Sequence, residues 1–531
     1  MNPAPSSSPK APATRLILAL ACVVIVAVYA FMIDLKGIST DEGLRMGVIN
    51  GGDIYTPDGP SSHATWARVV ERNSFTAYQP LYFLIQNTLM RLAGTQNVVF
   101  FRAVNIFFLW LSLQGLIALS TGWRLLPRLF ALGVFGFNAY LFMHVLQVRE
   151  YIVGVTFYIW STWLVLRLDR RPLVRPWADT AWFAAYGVLL ALGFFVQSWV
   201  VFPAVAQGMF LVWRKWGDRL RFYAHLALSY VVVLSATWPY LRTHQQKVDI
   251  GRWGTDPAPL MHQLSHGFHL VLGGHLAGQS PFADVLFWFW LVFIAATAAL
   301  LLRRPVAPAG VDRREYLRQG GLMLTCIAIA LAFQVTYFLK VDTLAVWPRY
   351  FVVHYFFCSW LIALGFKSLD DLRVSPASSH RTRGIMRAVV GAMVALALFT
   401  GIFQARSYYK FPLVDTGVSE QSNWRTLSAE LARNLQPGDV VVIHDIIQRW
   451  TITFTHPVAN PVLVLSELGP APLVSARRVL YLEPMQYVSE RDTLAAQMNS
   501  LGFGAMENLG LHTTDGKSFV TDWRLLVFTR R

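Results

Sequence analysis

Eleven apolar runs, most of them near the length that crosses a bilayer, recur along this chain, and few architectures can absorb so many. They fall at about 16–33, 102–121, 129–143, 151–168, 181–197, 199–213, 223–241, 284–302, 320–339, 348–366 and 386–404. A hydrocarbon layer has no water to satisfy backbone polar groups, so only helices or a closed barrel cross it, and runs of about 20 apolar residues select helices. The chain is 55% hydrophobic and 14% charged, where soluble proteins carry about a quarter charged residues. The expected class is an all-α polytopic membrane protein. A formal net charge of +16 would point to nucleic acid in a soluble chain. Here the cations sit in short gaps between apolar runs, which excludes nucleic acid as the expected partner and makes membrane lipids the first one.

Sidedness turns on one further stretch, Gln79 to Leu92, which is only about fourteen residues long and carries Arg91. If it lies along the surface as an interfacial helix started by Pro80, all the cation-rich gaps fall on one side. These gaps hold Arg124 and Arg128; Arg167, Arg170, Arg171 and Arg175; Arg214, Lys215, Arg219 and Arg221; Arg303 to Arg318; and Lys367 to Arg387. The positive-inside rule then predicts eleven spans, a cytoplasmic amino terminus and an external carboxyl terminus. Segments 34–101, 242–283 and 405–531 share the outer side. Residues 1–15, rich in Pro, Ala and Ser, are expected as a disordered cytoplasmic lead before an uncleaved anchor, and 16–404 as the membrane domain. In 405–531 the apolar runs stop, and a small soluble α/β domain is expected. Its elements are a helix at 422–435, strands at 439–443, 479–482 and 525–529, and a helix near 490–500. Cys22, Cys326 and Cys358 all lie in apolar runs, which argues against a disulfide framework or a cysteine metal site.

Several polar sets then share the outer side. Asp41-Glu42, with Arg45 one turn on, follows the first run by a few residues. Two readings stand: a pair that solvates a loop and complements the positive end of a following helix, or a general base held where a lipid-linked substrate keeps its polar head. Tyr78-Gln79-Pro80-Leu81-Tyr82 is the second set. Gln147-Val148-Arg149-Glu150-Tyr151 is the third, and Trp347-Pro348-Arg349-Tyr350, with His354 one turn later, the fourth. Arginines at a membrane edge snorkel to lipid phosphates; on a side otherwise poor in cations, Arg149 and Arg349 are also placed to pair with a carboxylate or a bound phosphate. The loop at 242–283 carries Trp253, His262, His266, His269 and His275. Positions 262, 266 and 269 would share one helical face, open to a divalent metal, to phosphate or acceptor contact, or simply to solvent. His444-Asp445 ends a strand without a nucleophile pattern beside it.

Taken in order, these sets resemble the GT-C glycosyltransferases, and within them the bacterial branch related to protein O-mannosyltransferases and lipid A aminoarabinose transferases. Asp41-Glu42 resembles the acidic motif of their first loop, and Tyr78 to Tyr82 their Pro-Pro-Leu-Tyr segment. Phe101-Arg102-Ala103 is similar to the stretch that opens their second span, Gln147 to Tyr151 to Gln-Glu-Ala-Arg-x-Tyr with one residue missing, and Pro348-Arg349-Tyr350 to their late Pro-Arg-Tyr. The resemblance covers about residues 15–410. It implies a GT-C-like bundle with an extracytoplasmic C-terminal domain, set in a bacterial inner membrane with that domain in the periplasm. The implied reaction is inverting transfer of a sugar from a polyprenyl-phosphate donor to a surface glycan, a lipid A or core acceptor, or a protein. On that reading Asp41 is the base and Glu42 its helper. Arg349, assisted by Arg102 or Arg149, neutralises phosphate; Gln79, Tyr82, Tyr151, Tyr350 and His354 lie on the donor side; Arg45, His262, His266 and His269 are further acceptor or phosphate contacts. The aminoarabinose transferases place Glu-Lys before Pro-Pro, for metal and phosphate, whereas Tyr78 and Gln79 stand here. That metal is therefore not carried over, and no cofactor is required by the sequence. Two rivals remain: an O-antigen-ligase-like transferase working through loop Arg and His, and a lipid-linked sugar transporter or flippase.

Overall fold

The computed structural model describes residues 11–34, 40–51, 64–75, 79–171, 176–215, 220–245, 260–273, 281–302, 313–340, 348–375, 379–410, 424–444, 449, 451–452, 460–465, 473–484, 491–509 and 523–531. The helices up to the second cation-rich gap are α1 (Ala11–Met32), α2 (Thr40–Ile49), α3 (Trp66–Phe75), α4 (Pro80–Ala93), α5 (Val98–Leu119), α6 (Leu125–Gly136), α7 (Ala139–Val145) and α8 (Tyr151–Arg170). Then follow α9 (Pro176–Val196), α10 (Val201–Arg214), α11 (Leu220–Gln245), α12 (Leu260–Gly273), α13 (Pro281–Leu302), α14 (Arg313–Lys340), α15 (Val352–Val374) and α16 (His380–Lys410). The C-terminal part adds α17 (Trp424–Asn434), β1 (Val440–Ile443), β2 (Val462–Val464), β3 (Arg478–Pro484), α18 (Arg491–Ser500), β4 (Phe503–Asn508) and β5 (Trp523–Arg530).

Among the described residues nine helices are long and apolar enough to cross a membrane, and α6 with α7 forms a tenth candidate broken by a 64° bend. The break has a local cause. Asn138 leaves helical geometry (φ −130°, ψ 132°), and its side chain accepts the Tyr140 N–H, capping α7. Of the eleven expected spans the run 199–213 departs most. It yields α10, 14 residues behind a 3-10 turn at Ser198–Val200, about 21 Å of helix against about 30 Å of hydrocarbon. The first helix starts at Ala11, inside the stretch expected as a disordered lead. The expected helix at 79–92 forms as α4. Pro80 begins it without losing a needed donor, and Gly94 (φ 64°) ends it with its N–H on Met90 O.

The chain divides into two compact units, the first made of Met1–Phe31, Asn105–Leu146 and Glu150–Tyr409. Its centre is α15, whose residues from Val352 to Phe366 are buried throughout. Around it pack α6, α8, α13 and α14. Between apolar helices in lipid, close approach rather than water exclusion drives association, and small residues permit it. Gly187 shows this: an added Cβ would stand 2.7 Å from Ser229 O, so α9 and α11 approach backbone to backbone.

The second unit is Met32–Val104, Gln147–Arg149 and Lys410–Arg531. It holds α2, α3, α4, the first turns of α5, and a five-stranded sheet in the order β2-β1-β3-β5-β4. β1 runs parallel to β2 and β3, and β5 antiparallel to β3 and β4. Strand alternation sends Val441, Ile443, Leu480 and Leu482 to one face, with Leu431 of α17. It sends Val440, Val442, Val479 and Tyr481 to the other, with Leu494 and Met498 of α18. The expected helices and strands of this region all form. The additional strands are β2, three residues long, and β4, whose register with β5 shifts between Phe503 and Met506.

Candidate functional site

The site grows from the first turn of α2, which carries Glu42. Glu42 is 1% exposed and so is its partner, Arg102 of α5. Arg102 donates from Nε to Glu42 Oε1 at 2.9 Å and from Nη2 to Oε2 at 2.8 Å. Its Nη1 donates to Ile33 O at 2.9 Å, on the chain leaving α1. The Val148 N–H completes the set, donating to Glu42 Oε1 at 2.8 Å. A planar guanidinium on a carboxylate by two parallel bonds is among the strongest directional pairs available. Such a pair tolerates burial only when its remaining polar atoms also find partners. Four segments distant in sequence, near residues 33, 42, 102 and 148, are tied together here.

Around that clamp α4 acts as a brace. Asn87 Nδ2 donates to Ile49 O at 2.8 Å, at the end of α2. Gln86 Nε2 donates to Tyr82 Oη at 3.1 Å and to Phe101 O at 3.2 Å, the residue before Arg102. Tyr82 thus lies buried inside the brace. Gln79 caps the start of α4 by position but makes no side-chain cap bond. Arg45, Gln147 and Arg149 are buried, and the Arg149 N–H closes a tight turn on Gln147 O at 2.8 Å.

In the first unit, Arg349 and Tyr350 lie on a 3-10 turn, Pro348–Phe351, that leads into α15. Its backbone is fixed from two helices: Tyr140 Oη donates to Arg349 O at 3.2 Å, and Gln334 Nε2 donates to Tyr350 O at 3.3 Å. Gln334 Oε1 lies 2.7 Å from His354 Nε2. With the amide so oriented, His354 carries its proton on Nε2. His354 therefore buttresses the turn. The Tyr350 ring stacks on Trp199 at 4.9 Å, and the Arg349 guanidinium stands 5.4 Å from that ring. Tyr151 is buried with its ring 4.6 Å from His144.

The histidines of α12 do not act as one group. His262 and His266 stack with centroids 6.4 Å apart. His269 instead turns to α13, with Nε2 3.1 Å from Asp284 Oδ1 and its ring over Phe287. Burial lowers its pKa from the ordinary histidine value, against the pull of Asp284. Among the described residues no three His, Cys, Asp or Glu side chains group as a metal site.

The side chain of Asp41 lies outside the described residues, as do Tyr78, Trp253, His275, Trp347 and Asp445. Contributors that escape a motif-based reading include the Val148 N–H, Gln86, Asn87, Tyr140, Gln334 and Trp199. Gln334 carried a signal, a lone amide in the apolar part of α14, where an interhelical hydrogen bond is the usual reason for one.

No family model matches the sequence, and no curated protein matches it. Solved structures do. ArnT from Cupriavidus metallidurans bound to undecaprenyl phosphate aligns over 96% of this chain and 97% of its own, with a TM-score of 0.55 and 14% identity. Its apo form aligns over 97% and 98%, with a TM-score of 0.54 and 12% identity. The Archaeoglobus fulgidus oligosaccharyltransferase in complex with Zn and sulfate aligns over 92% of this chain and 72% of its own, with a TM-score of 0.51 and 11% identity. In its course from α1 to the C-terminal sheet, the chain has the fold of the GT-C glycosyltransferases that its motifs resemble.

Proposed function

We propose that the protein is an inverting glycosyltransferase that moves a sugar from a polyprenyl-phosphate carrier to an extracytoplasmic acceptor. The observation that carries this is the buried clamp of Glu42 by Arg102 and the Val148 N–H, which holds the first turn of α2, and with it the Asp41 backbone, in a fixed place. It does so on a fold shared along nearly its whole length with a transferase bound to undecaprenyl phosphate.

In the proposed reaction Asp41 takes the proton from an acceptor hydroxyl as that oxygen attacks the anomeric carbon. The bond to the lipid phosphate breaks on the opposite face, and the phosphate leaves with the electron pair. Arg349 and Arg149 steady the departing anion, a task suited to a permanently charged planar fork. On this reading Glu42 and Arg102, bonded to each other, position α2 rather than serving as base helper and phosphate ligand. The acceptor is a surface glycan, lipid A or core, or a protein. On this reading the amino terminus is cytoplasmic, and the C-terminal sheet lies in the periplasm of a bacterial inner membrane.

The test compares cells making the unaltered chain with cells making Asp41→Asn at equal protein level, by mass spectrometry of envelope glycolipids and glycoproteins. A sugar increment present in the first and lost in the second is expected. With purified protein and radiolabelled polyprenyl-phosphate sugar, the rate should fall by about 10²–10⁴ for loss of a general base. Unchanged glycans, and label that stays on its carrier, would sink the proposal. Turnover that survives Asp41→Asn but not His262→Ala would move the reading to the ligase-like class.

A further inference from the structure

At the end of the first unit where α8 and α10 stop and α9, α11 and α14 begin, arginines outnumber the carboxylates that hold them. Asp169 lies 3.7 Å from Arg214 Nε and 2.5 Å from Arg318 Nε. Asp179 lies 3.3 Å from Arg171 and 3.2 Å from Arg221. Glu315 pairs with both Arg170 and Arg318. The two aspartates are almost wholly buried, at 2% and 0% exposure, while their arginines lie between 18% and 37%. The network therefore presents its positive side outward. Arg167 adds a further cation: it is exposed, has no carboxylate partner among the described residues, and stands 5.3 Å from the Trp163 ring.

Beside these residues is a cavity of about 250 Å³ lined by Arg167, Leu168, Arg170, Arg171 and Trp182. The Arg171 guanidinium lies 5.4 Å from the Trp182 ring, so two of the lining cations stand by indole rings that hold them in place. Trp177 and Trp213, at the same helix ends, are 73% and 67% exposed. Exposed tryptophans at the ends of apolar helices mark the level of lipid headgroups. A pocket of surplus guanidiniums at that level fits a phosphate on a lipid, with the indole faces against its glycerol and upper acyl carbons.

We propose that this cavity binds the phosphate of an anionic phospholipid and that Arg167 is its principal contact. The lipid joins the ends of α8 and α9 and is distinct from any sugar carrier. The experiment uses the purified full chain in detergent micelles doped with phosphatidylglycerol or phosphatidylcholine. Retained lipid is read by native mass spectrometry and the melting temperature is followed in parallel. Phosphatidylglycerol should be retained and should raise the melting temperature, and phosphatidylcholine should do neither. Arg167→Gln should weaken retention about fivefold, the usual worth of one basic residue at a lipid surface. Arg167→Lys should keep most of it. Arg387→Gln, an exposed cation of α16, should change nothing. Since Arg167 holds no carboxylate, its lipid-free melting should match the unaltered chain; Trp182→Leu, which keeps every charge, provides a second measure with loss in the same direction. Equal phosphatidylglycerol retention by the unaltered chain and Arg167→Gln would overturn the proposal. So would the same stabilisation from inorganic phosphate alone, which would make the ligand a soluble phosphate.

Discussion

Glu42 works through what holds it, and that makes its substitution more informative than that of an ordinary buried acid. Removing one member of a buried, doubly bonded ion pair leaves the other charge uncompensated, at a cost of about 3–5 kcal/mol. Arg102→Met should therefore lower the stability of the purified protein by that order, read as a drop in melting temperature or denaturant midpoint. The double variant Glu42→Met/Arg102→Met should recover most of the loss, because matched apolar side chains of similar size can replace a buried pair with little penalty. Transfer activity should stay low in both, since Ile33 O loses its donor in each, the Val148 N–H also loses its acceptor in the double variant, and α2 loses its anchor. A melting temperature unmoved by Arg102→Met would show that the pair does not hold the helix. The residue types at this point were legible, since an acidic pair and an arginine near apolar runs ask for an explanation. Their pairing was not, because nothing local links position 42 to position 102. Without the partner, Arg102 reads naturally as a phosphate ligand.

Among elements, the long apolar runs were legible because continuous hydrophobicity is a local property that needs no partner to be seen. The break between α6 and α7 depends on one cap, Asn138, in an otherwise apolar stretch. The shortness of α10 depends on where the chain turns at Gln197 and Ser198. Strands β2 and β4 exist because β1 and β5 give them an edge to join. A helix-on-turn contact shows how such elements reach the candidate site. Helix α12 lies on the Pro348–Phe351 turn at Gly267, where an added Cβ would come within 2.4 Å of Phe351 Cδ2 and Cε2. Gly267→Ala gains helix propensity of up to about 1 kcal/mol but overpacks by about 1–3 kcal/mol, so overpacking should win. The ring must move, and with it the turn that carries Arg349. Transfer should fall severalfold, mainly in kcat/KM for the lipid-linked donor, and Gly267→Ala/Phe351→Leu should restore part of it by clearing the space. Unaltered kinetics in the single variant would mean that the turn does not depend on α12.

On the scale of the whole molecule, the second unit joins chain segments that a reading by sequence order keeps apart. Its C-terminal sheet belongs with residues 32–104 rather than standing as a separate appendage. The junction is tight at Gly43, next to the acidic pair. An added Cβ there would stand 2.5 Å from Thr451 Oγ1 and 2.8 Å from both Thr451 Cα and N. Side chains can rotate away, but two of these three contacts are to backbone, so the position needs a glycine for space alone. The helix bearing Asp41 is thus seated against the C-terminal part as well as clamped by Arg102, and activity should require that part even if it performs no chemistry. Gly43→Ala should separate the two by overpacking, at about 1–3 kcal/mol. The expected result is transfer reduced by at least about tenfold, with faster proteolysis within 424–531, while the apolar helices keep their helical circular dichroism. Thr451→Ala alone should have a small effect. Gly43→Ala/Thr451→Ala should not recover transfer, because Cα and N of residue 451 stay where they are. Full recovery in that double variant would mean that only the hydroxyl was in the way. Wild-type transfer by Gly43→Ala would mean that α2 takes its position without the sheet.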